Sequence, residues 1–425
     1  MQATATAKAG ESASSSHHGE VGSRTSILLI GTSFKTSSIA FRERVIRTLQ
    51  RDGAARARGN PHLLEGCLLV TCNRIEFYVA TDDPNEMEAR VFSDLFGSGS
   101  ARNSFYFKHD KDAVSHLFKV ASGLDSLVVG EAQILQQIRD AGAKAEASGE
   151  AGPVISSLFV SAFNVGRRVR DSLNIAPHDA SVSSFALAFA IKKIGRTPQS
   201  VLLIGTGKVA KLAATQLKGS KIYLISRQKN AQDRFPDAKL VAQKELKRVA
   251  RDVDLVISAT RRSGYVLRKG DLPDSRPLVM LDLAFPRNID PAFKTSRSIQ
   301  LYDLDDLAAH ARAPNEGAAL TAGEQLVQDE AEGFIRRLVA KRLSPTLASI
   351  YRWAEEVRTT EMDDAVKKLP NLSEDDRRVL EAMSKSLVGK LLAPHANFVK
   401  GADCESDQAE KLRLLENVFH PEADG

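Results

Sequence analysis

A buried-strand signal, Val201-Leu202-Leu203-Ile204, runs directly into Gly205-Thr206-Gly207-Lys208-Val209-Ala210 and then into a helical pattern. This constrains the fold more than any other stretch. A G-x-G-x-x-A sequence between a strand and a helix is the turn of a βαβ unit that sets backbone amides and a helix N-terminus against a pyrophosphate. Gly205 permits the tight turn, Gly207 lets the backbone come close, and Ala210 keeps the helix near the sheet. Lys221–Ile225, Asp254–Ser258 and Leu278–Leu283 supply further apolar strands, which predicts a doubly wound (Rossmann) parallel sheet over about 180–310. Thr206, Lys208 and Val209 fall inside the same dinucleotide loop.

The second strand of that unit ends in Ser226-Arg227. An NAD site usually carries Asp or Glu there, bonded to the ribose 2′-hydroxyl. A serine and a guanidinium suit a 2′-phosphate instead, so NADPH is the expected cofactor. A solvated loop arginine would read the same way.

The second chemical signal is Leu68-Leu69-Val70-Thr71-Cys72-Asn73-Arg74-Ile75-Glu76, an apolar strand that delivers a cysteine beside an arginine. A strand end holds a nucleophile rigidly, and a nearby guanidinium favours thiolate and can grip an anionic substrate. Taken alone, Cys72 could equally be a small buried hydrophobe. Combined with a hydride-carrying cofactor, it suggests reduction of an activated acyl group. Acyl transfer to the thiol makes an electrophilic thioester, and hydride addition gives a thiohemiacetal that collapses to an aldehyde.

Cys67, Cys72 and Cys404 are too few and too scattered for a disulfide framework or a zinc site, so reduced thiols, no bound metal and a cytoplasmic setting are expected. A length of 425 residues allows two or three domains. No apolar run approaches the roughly 20 residues that span a bilayer. The net charge of +6 permits nucleic-acid contact without demanding it.

Residues 1–25 lack apolar periodicity and read as a disordered leader. Ile27–Gly31, Phe77–Ala80 and Ser104–Phe107 read as strands, and Phe41–Leu49 as a helix, giving an N-terminal α/β domain over 26–175. Asp110 or Asp112 can cap a helix with Val114, Leu117, Phe118 and Ala121 on one face, which Gly123 ends. Helices follow at Glu131–Ala145 and Ile155–Val169, with a break at Pro177 and caps for another helix at Ser181-Val182-Ser183-Ser184. The cofactor domain takes 176–312 and a helical domain 313–425. In the latter, Val327, Ala331, Phe334, Ile335, Leu338 and Val339 form a stripe that Ser344-Pro345 should interrupt. A later helix starts at Ser373, with Asp376 completing a capping box and Leu380, Met383, Leu387, Leu391 and Leu392 on one side. Such stripes suit packing on each other or on a second chain.

These residues together resemble the glutamyl-tRNA reductase family. The matching pieces are Thr71–Glu76, His116–Ser126, Gly130–Leu135, Ser181–Ser184, the glycine loop and Leu283–Pro291, in the family's order from about 26 to 395. The resemblance implies NADPH-dependent reduction of glutamyl-tRNA to glutamate-1-semialdehyde, the first step of tetrapyrrole synthesis from glutamate. It implies Cys72 as nucleophile, with Thr71, Asn73 and Arg74 on the glutamyl moiety and Arg74 as partner of its carboxylate. Ser126, Glu131, Ala132, Gln133 and Gln137 fall at substrate-site positions. His116 matches a histidine important for activity, in proton transfer or only in orienting the site. A homodimer built through the C-terminal helices is implied, and hand-over of the reactive aldehyde to an aminomutase is plausible chemistry.

Two departures stand out. Phe34 precedes Lys35-Thr36 where the family usually has histidine, and Ala132 separates Glu131 from Gln133 where proline is usual. Two other readings stay open at this point: a tRNA-independent semialdehyde or acyl-phosphate reductase using the same cysteine and NADPH, and a non-catalytic relative that binds NADPH.

Overall fold

The computed structural model describes residues 25–49, 59–96, 102–128, 131, 133–173, 182–217, 219–226, 230–260, 262, 264–311, 318–369, 372–400 and 414. The expected leader, Ala132, Pro177, Ser181, Arg227 and Cys404 lie outside these residues, as do the expected boundaries near 175 and 312.

The N-terminal part is built on an antiparallel sheet of order β2-β3-β1-β4, comprising β1 (Ser26–Ser33), β2 (Leu63–Val70), β3 (Arg74–Thr81) and β4 (Tyr106–His109). The fourth strand starts two residues later than the aromatic run predicts, because Arg102–Ser104 form a 3-10 turn. Helix α1 (Ile39–Thr48) is capped by Ser38, and α2 (Pro84–Phe96) is an element that the sequence patterns do not predict. Helix α3 (Asp110–Ser122) carries the predicted stripe, with Val114, Leu117, Phe118 and Ala121 all fully buried, and Gly123 ends it in the left-handed conformation at φ 75°. Asp110 does not cap it; its carboxylate accepts the Ile27 amide at 2.9 Å instead. Helices α4 (Gln133–Ala147) and α5 (Pro153–Ser172) complete this part.

After α6 (Val182–Ile194) comes a parallel six-stranded sheet, β5 (Ser200–Ile204), β6 (Lys221–Ile225), β7 (Lys239–Leu240), β8 (Leu255–Ser258), β9 (Leu278–Asp282) and β10 (Ile299–Asp303). Its order, β10-β9-β8-β5-β6-β7, reverses direction between β5 and β8. That switch point is where open α/β sheets leave a ligand crevice. Short helices α7 (Lys208–Gln216), α8 (Ala231–Arg234) and α9 (Leu246–Asp252) lie between strands, and α10 (Leu304–His310) follows the last of them, β10.

Helix α11 runs unbroken from Ala318 to Lys368, so Ser344-Pro345 do not interrupt it as expected. A proline removes one backbone donor, a local loss that a helix can absorb when packing on both sides holds its turns. Here Val327, Ala331, Phe334 and Leu338 pack into the N-terminal core, and Val339 and Ile350 pack beyond them with Leu392 of α12 (Glu374–Lys400). Ser373 and Asp376 form the predicted capping box. Of the stripe on α12, Leu392 is buried and Leu380 half-buried, whereas Met383, Leu387 and Leu391 are exposed in the single chain. Among the described residues no helix is long and apolar enough to cross a membrane.

Candidate active site

Cys72 sits in the turn between β2 and β3. Thr71 makes that turn rigid: its hydroxyl accepts the amides of Asn73 and Arg74, both at 3.1 Å, and its own amide donates to the Arg74 carbonyl at 2.9 Å. The Asn73 carbonyl accepts the Phe34 amide at 2.9 Å, which ties the loop after β1 to the same turn. Burial pushes the Cys72 thiol up to about 12, and Glu131 pushes it the same way, while Arg42 and Arg74 pull it down. Cys67 is buried, its thiol likewise pushed up to about 12 by burial.

Beside the turn, β3 aims Arg74, Glu76 and Tyr78 to one face, since alternate residues of a strand share a side. Arg74 is 2% exposed and its guanidinium is taken by Glu76 and by Asp125, each at 3.0 Å. The Glu76 carboxylate also accepts from Tyr106 at 2.6 Å, from Tyr78 at 2.7 Å and from His116 Nε2 at 2.7 Å. Burial alone would raise its pKa, but Arg74, His116 and Tyr106 together hold the carboxyl well below the usual range. Lys35 pairs with Asp125 at the outer edge of this cluster. Arg74 is therefore committed to two carboxylates of the chain itself, where the resemblance implies a substrate carboxylate. His116 joins the same cluster, its ring 5.3 Å from that of Tyr106.

Glu131 acts electrostatically on the Cys72 thiol and is itself acted on by Lys208 of the cofactor domain. It is buried, and desolvation raises its carboxyl to about 7 although Arg170 and Lys208 pull it down. Lys208 is the first residue of α7, so one carboxylate feels both Cys72 and the end of the glycine loop. Arg170 steadies this segment by donating to the Glu131 carbonyl at 3.0 Å. Ser126, Gln133 and Gln137 are half-buried, the first next to Asp125 and the other two a turn apart on α4. Phe34 and Cys72 both pack against an apolar cluster containing Leu187, Val201, Leu203 and Leu281 of the cofactor domain.

The glycine loop has the form a dinucleotide requires. Gly205 adopts φ 111° at the end of β5, and a Cβ there would meet the Ala259 carbonyl, beyond β8, at 2.8 Å. Only glycine fits that turn. A Cβ on Gly207 would find its nearest neighbour at 4.0 Å, which leaves the helix N-cap open to a close ligand. Thr206 and Ala210 are buried, Lys208 is exposed and Val209 half-buried. Ser226 follows β6 as predicted.

Residues 30–173 match the N-terminal domain model of glutamyl-tRNAGlu reductase, and residues 322–421 match its dimerisation domain model. Residues 188–310 match the shikimate/quinate 5-dehydrogenase model. The chain is 32% identical over 415 residues to glutamyl-tRNA reductase of Syntrophotalea carbinolica, covering 92% of this chain and 94% of that one. It is 31% identical over 418 residues to the Bacillus subtilis protein of the same name, covering 92% and 91%. This chain belongs to the glutamyl-tRNA reductase family. Similarity extends to the solved glutamyl-tRNA reductase of Methanopyrus kandleri, at 24% identity and a TM-score of 0.46 over 92% of this chain and 98% of that one.

Within this reductase fold, several members of the site are not evident from the sequence. Glu76 stands in the cysteine motif, and its spacing from Arg74 on a strand is the one signal that could reveal the pair. Asp125 follows the α3 stripe, but nothing local says that it meets Arg74, 51 residues away. Arg42 carries no sequence signal at all.

Proposed function

We propose that this chain reduces glutamyl-tRNA with NADPH to glutamate-1-semialdehyde, through a thioester on Cys72, and works as a homodimer. The carrying observation is that Cys72 packs against the apolar cluster that the cofactor domain forms with Ile39 and Leu127, while Glu131 acts electrostatically on the thiol and on Lys208 at the start of α7. A thiol and a hydride donor must converge on one carbonyl, and a thiol packed at the cofactor domain supports that reading.

The Cys72 sulfur attacks the aminoacyl ester carbon as its proton passes to Glu131, whose raised pKa suits it to accept one near neutrality. The tRNA ribose oxygen leaves and takes up a proton, leaving the glutamyl group as a thioester. When bound, NADPH supplies a hydride. Gly205 and Gly207 give its pyrophosphate room and amides, and Ser226 with Arg227 reads the 2′-phosphate. After reduction the thiohemiacetal carbon–sulfur bond breaks, releasing aldehyde and returning the thiolate. Thr71, Asn73, Arg74, Ser126, Glu131, Gln133 and Gln137 shape the glutamyl pocket, Arg74 through the turn and the Asp125 segment that it braces. His116 orients Glu76 and so Arg74. The exposed Met383, Leu387 and Leu391 suit the packing of a second chain, which fits the dimerisation-domain match.

The test is aldehyde formation from glutamyl-tRNA with NADPH, with and without prior ribonuclease treatment of the substrate. Activity that ribonuclease abolishes supports this reading. Activity on a free acyl phosphate instead would favour the tRNA-independent reductase.

A further inference from the structure

Helix α1 carries Arg42 and Glu43 side by side, and each reaches into the cofactor domain. The Glu43 carboxylate accepts from Arg287 three times, from its backbone amide at 2.7 Å, from Nε at 3.0 Å and from Nη2 at 2.8 Å. The loop that presents Arg287 is anchored by buried Asp282, which accepts the amides of Ala284, Asn288 and Ile289 at 3.2, 2.8 and 2.7 Å. Arg42 is completely buried. Its Nη2 donates to one oxygen of Asp305 at 2.7 Å and its Nη1 to the Ser37 carbonyl at 2.6 Å, while the other Asp305 oxygen accepts the Ile39 amide.

One donor of that guanidinium is left over. Among the described residues, Arg42 Nε is the buried side-chain polar atom with no hydrogen-bond partner. Leaving such a donor unpaired is costly, and the cost is tolerated where the group serves something else. Arg42 holds the loop after β1 through Ser37, and the same loop is bonded through Phe34 to Asn73, next to Cys72. Three charges act on the thiol: Glu131 from the segment before α4 opposes its ionisation, while Arg42 from α1 and Arg74 from its own turn favour it. Arg74 is already neutralised by Glu76 and Asp125. Arg42 has a single carboxylate partner, and that partner belongs to the cofactor domain.

We propose that Arg42 is a positioning residue for the Cys72 thiolate and that Asp305 sets its guanidinium in place, so that docking of the cofactor domain on α1 tunes the nucleophile. The proposal deepens the functional reading, since it rests on Cys72 as the reacting thiol. The loop from Leu283 to Pro291 fastens the same joint by presenting Arg287 to Glu43.

The test is the pH dependence of Cys72 alkylation by iodoacetamide in the full chain, with the labelled peptide identified by mass spectrometry. Alkylation needs the thiolate and no tRNA, so its outcome is separate from that of the reductase assay. Arg42→Gln should slow alkylation about ten-fold at a fixed pH below the thiol pKa, the effect of one pKa unit. Arg42→Lys should recover part of that loss. Asp305→Asn keeps the guanidinium but removes the carboxylate that holds and neutralises it, and should shift the profile as well. A wild-type profile in Arg42→Gln overturns the proposal. If that variant does not fold, an unshifted profile in Asp305→Asn overturns it. A shifted profile in a chain without glutamyl-tRNA reductase activity would uphold the coupling and remove the substrate assignment instead.

Discussion

Arg74 and Glu76 lie two residues apart on β3 with their side chains 3.0 Å from each other, one 2% exposed and the other fully buried. Removing two charges from water costs several kcal/mol per ion, which an isolated pair rarely recovers. The pair persists because Glu76 also accepts hydrogen bonds from two phenols and His116, and Arg74 is bonded to Asp125. The result is a stiff floor beneath the Cys72 turn.

Arg74→Lys should therefore cost more than conservation of charge suggests. A planar fork that meets two carboxylates becomes a single point charge, and one of those carboxylates loses its partner. Breaking a buried pair in this way costs about 3–5 kcal/mol. Denaturant unfolding together with steady-state kinetics checks it; a lysine variant with wild-type stability and rate would show that the network does not support the turn.

Cys72→Ser should abolish aldehyde formation while glutamyl-tRNA still binds, because a serine hydroxyl cannot make the thioester. Cys67→Ser should keep activity, since that side chain is buried in the core on β2. Binding and turnover measured on both variants separate the two thiols. Loss of catalysis in folded Cys67→Ser would point to the wrong cysteine.

The pH profile of kcat/KM should carry a rising limb near neutrality. Burial raises the Glu131 carboxyl to about 7. As a base it must be ionised to accept the thiol proton, so the rate climbs as pH passes upward through that value. Glu131→Gln should lower the rate by roughly 10²–10⁴-fold, the usual worth of a positioned base, and should lose this limb. A limb of unchanged midpoint in the glutamine variant would assign it to another group.

Arg227→Ala should raise the Michaelis constant for NADPH about ten-fold, equivalent to roughly 1.4 kcal/mol, and leave that for NADH nearly unchanged. Titration of both cofactors against both proteins decides it. An equal effect on the two would mean that another group reads the phosphate.

Gly205→Ala should weaken both cofactor binding and the fold. Its φ of 111° is strained for any side chain, and the added carbon would press on the Ala259 carbonyl at 2.8 Å. Such backbone strain costs about 1–3 kcal/mol. Thermal melts with and without NADPH measure the two losses separately.

What the sequence determined was what neighbours along the chain decide. The strand running into Gly205-Thr206-Gly207, the stripe of α3 ending at Gly123 and the Ser373–Asp376 cap all depend on residues within a few positions of one another, so their periodicity and turn chemistry could be read directly. The cysteine turn was legible for the same reason. Pro345 misled because a local rule about one missing donor was outweighed by the packing along α11, which is a tertiary quantity. Only the folded chain decided which charges meet. Arg42 finds Asp305 across 263 residues, and Glu43 finds Arg287 across 244. Burial then gives those meetings their strength, since low-dielectric surroundings magnify a charge that water would screen, and burial depends on the whole fold.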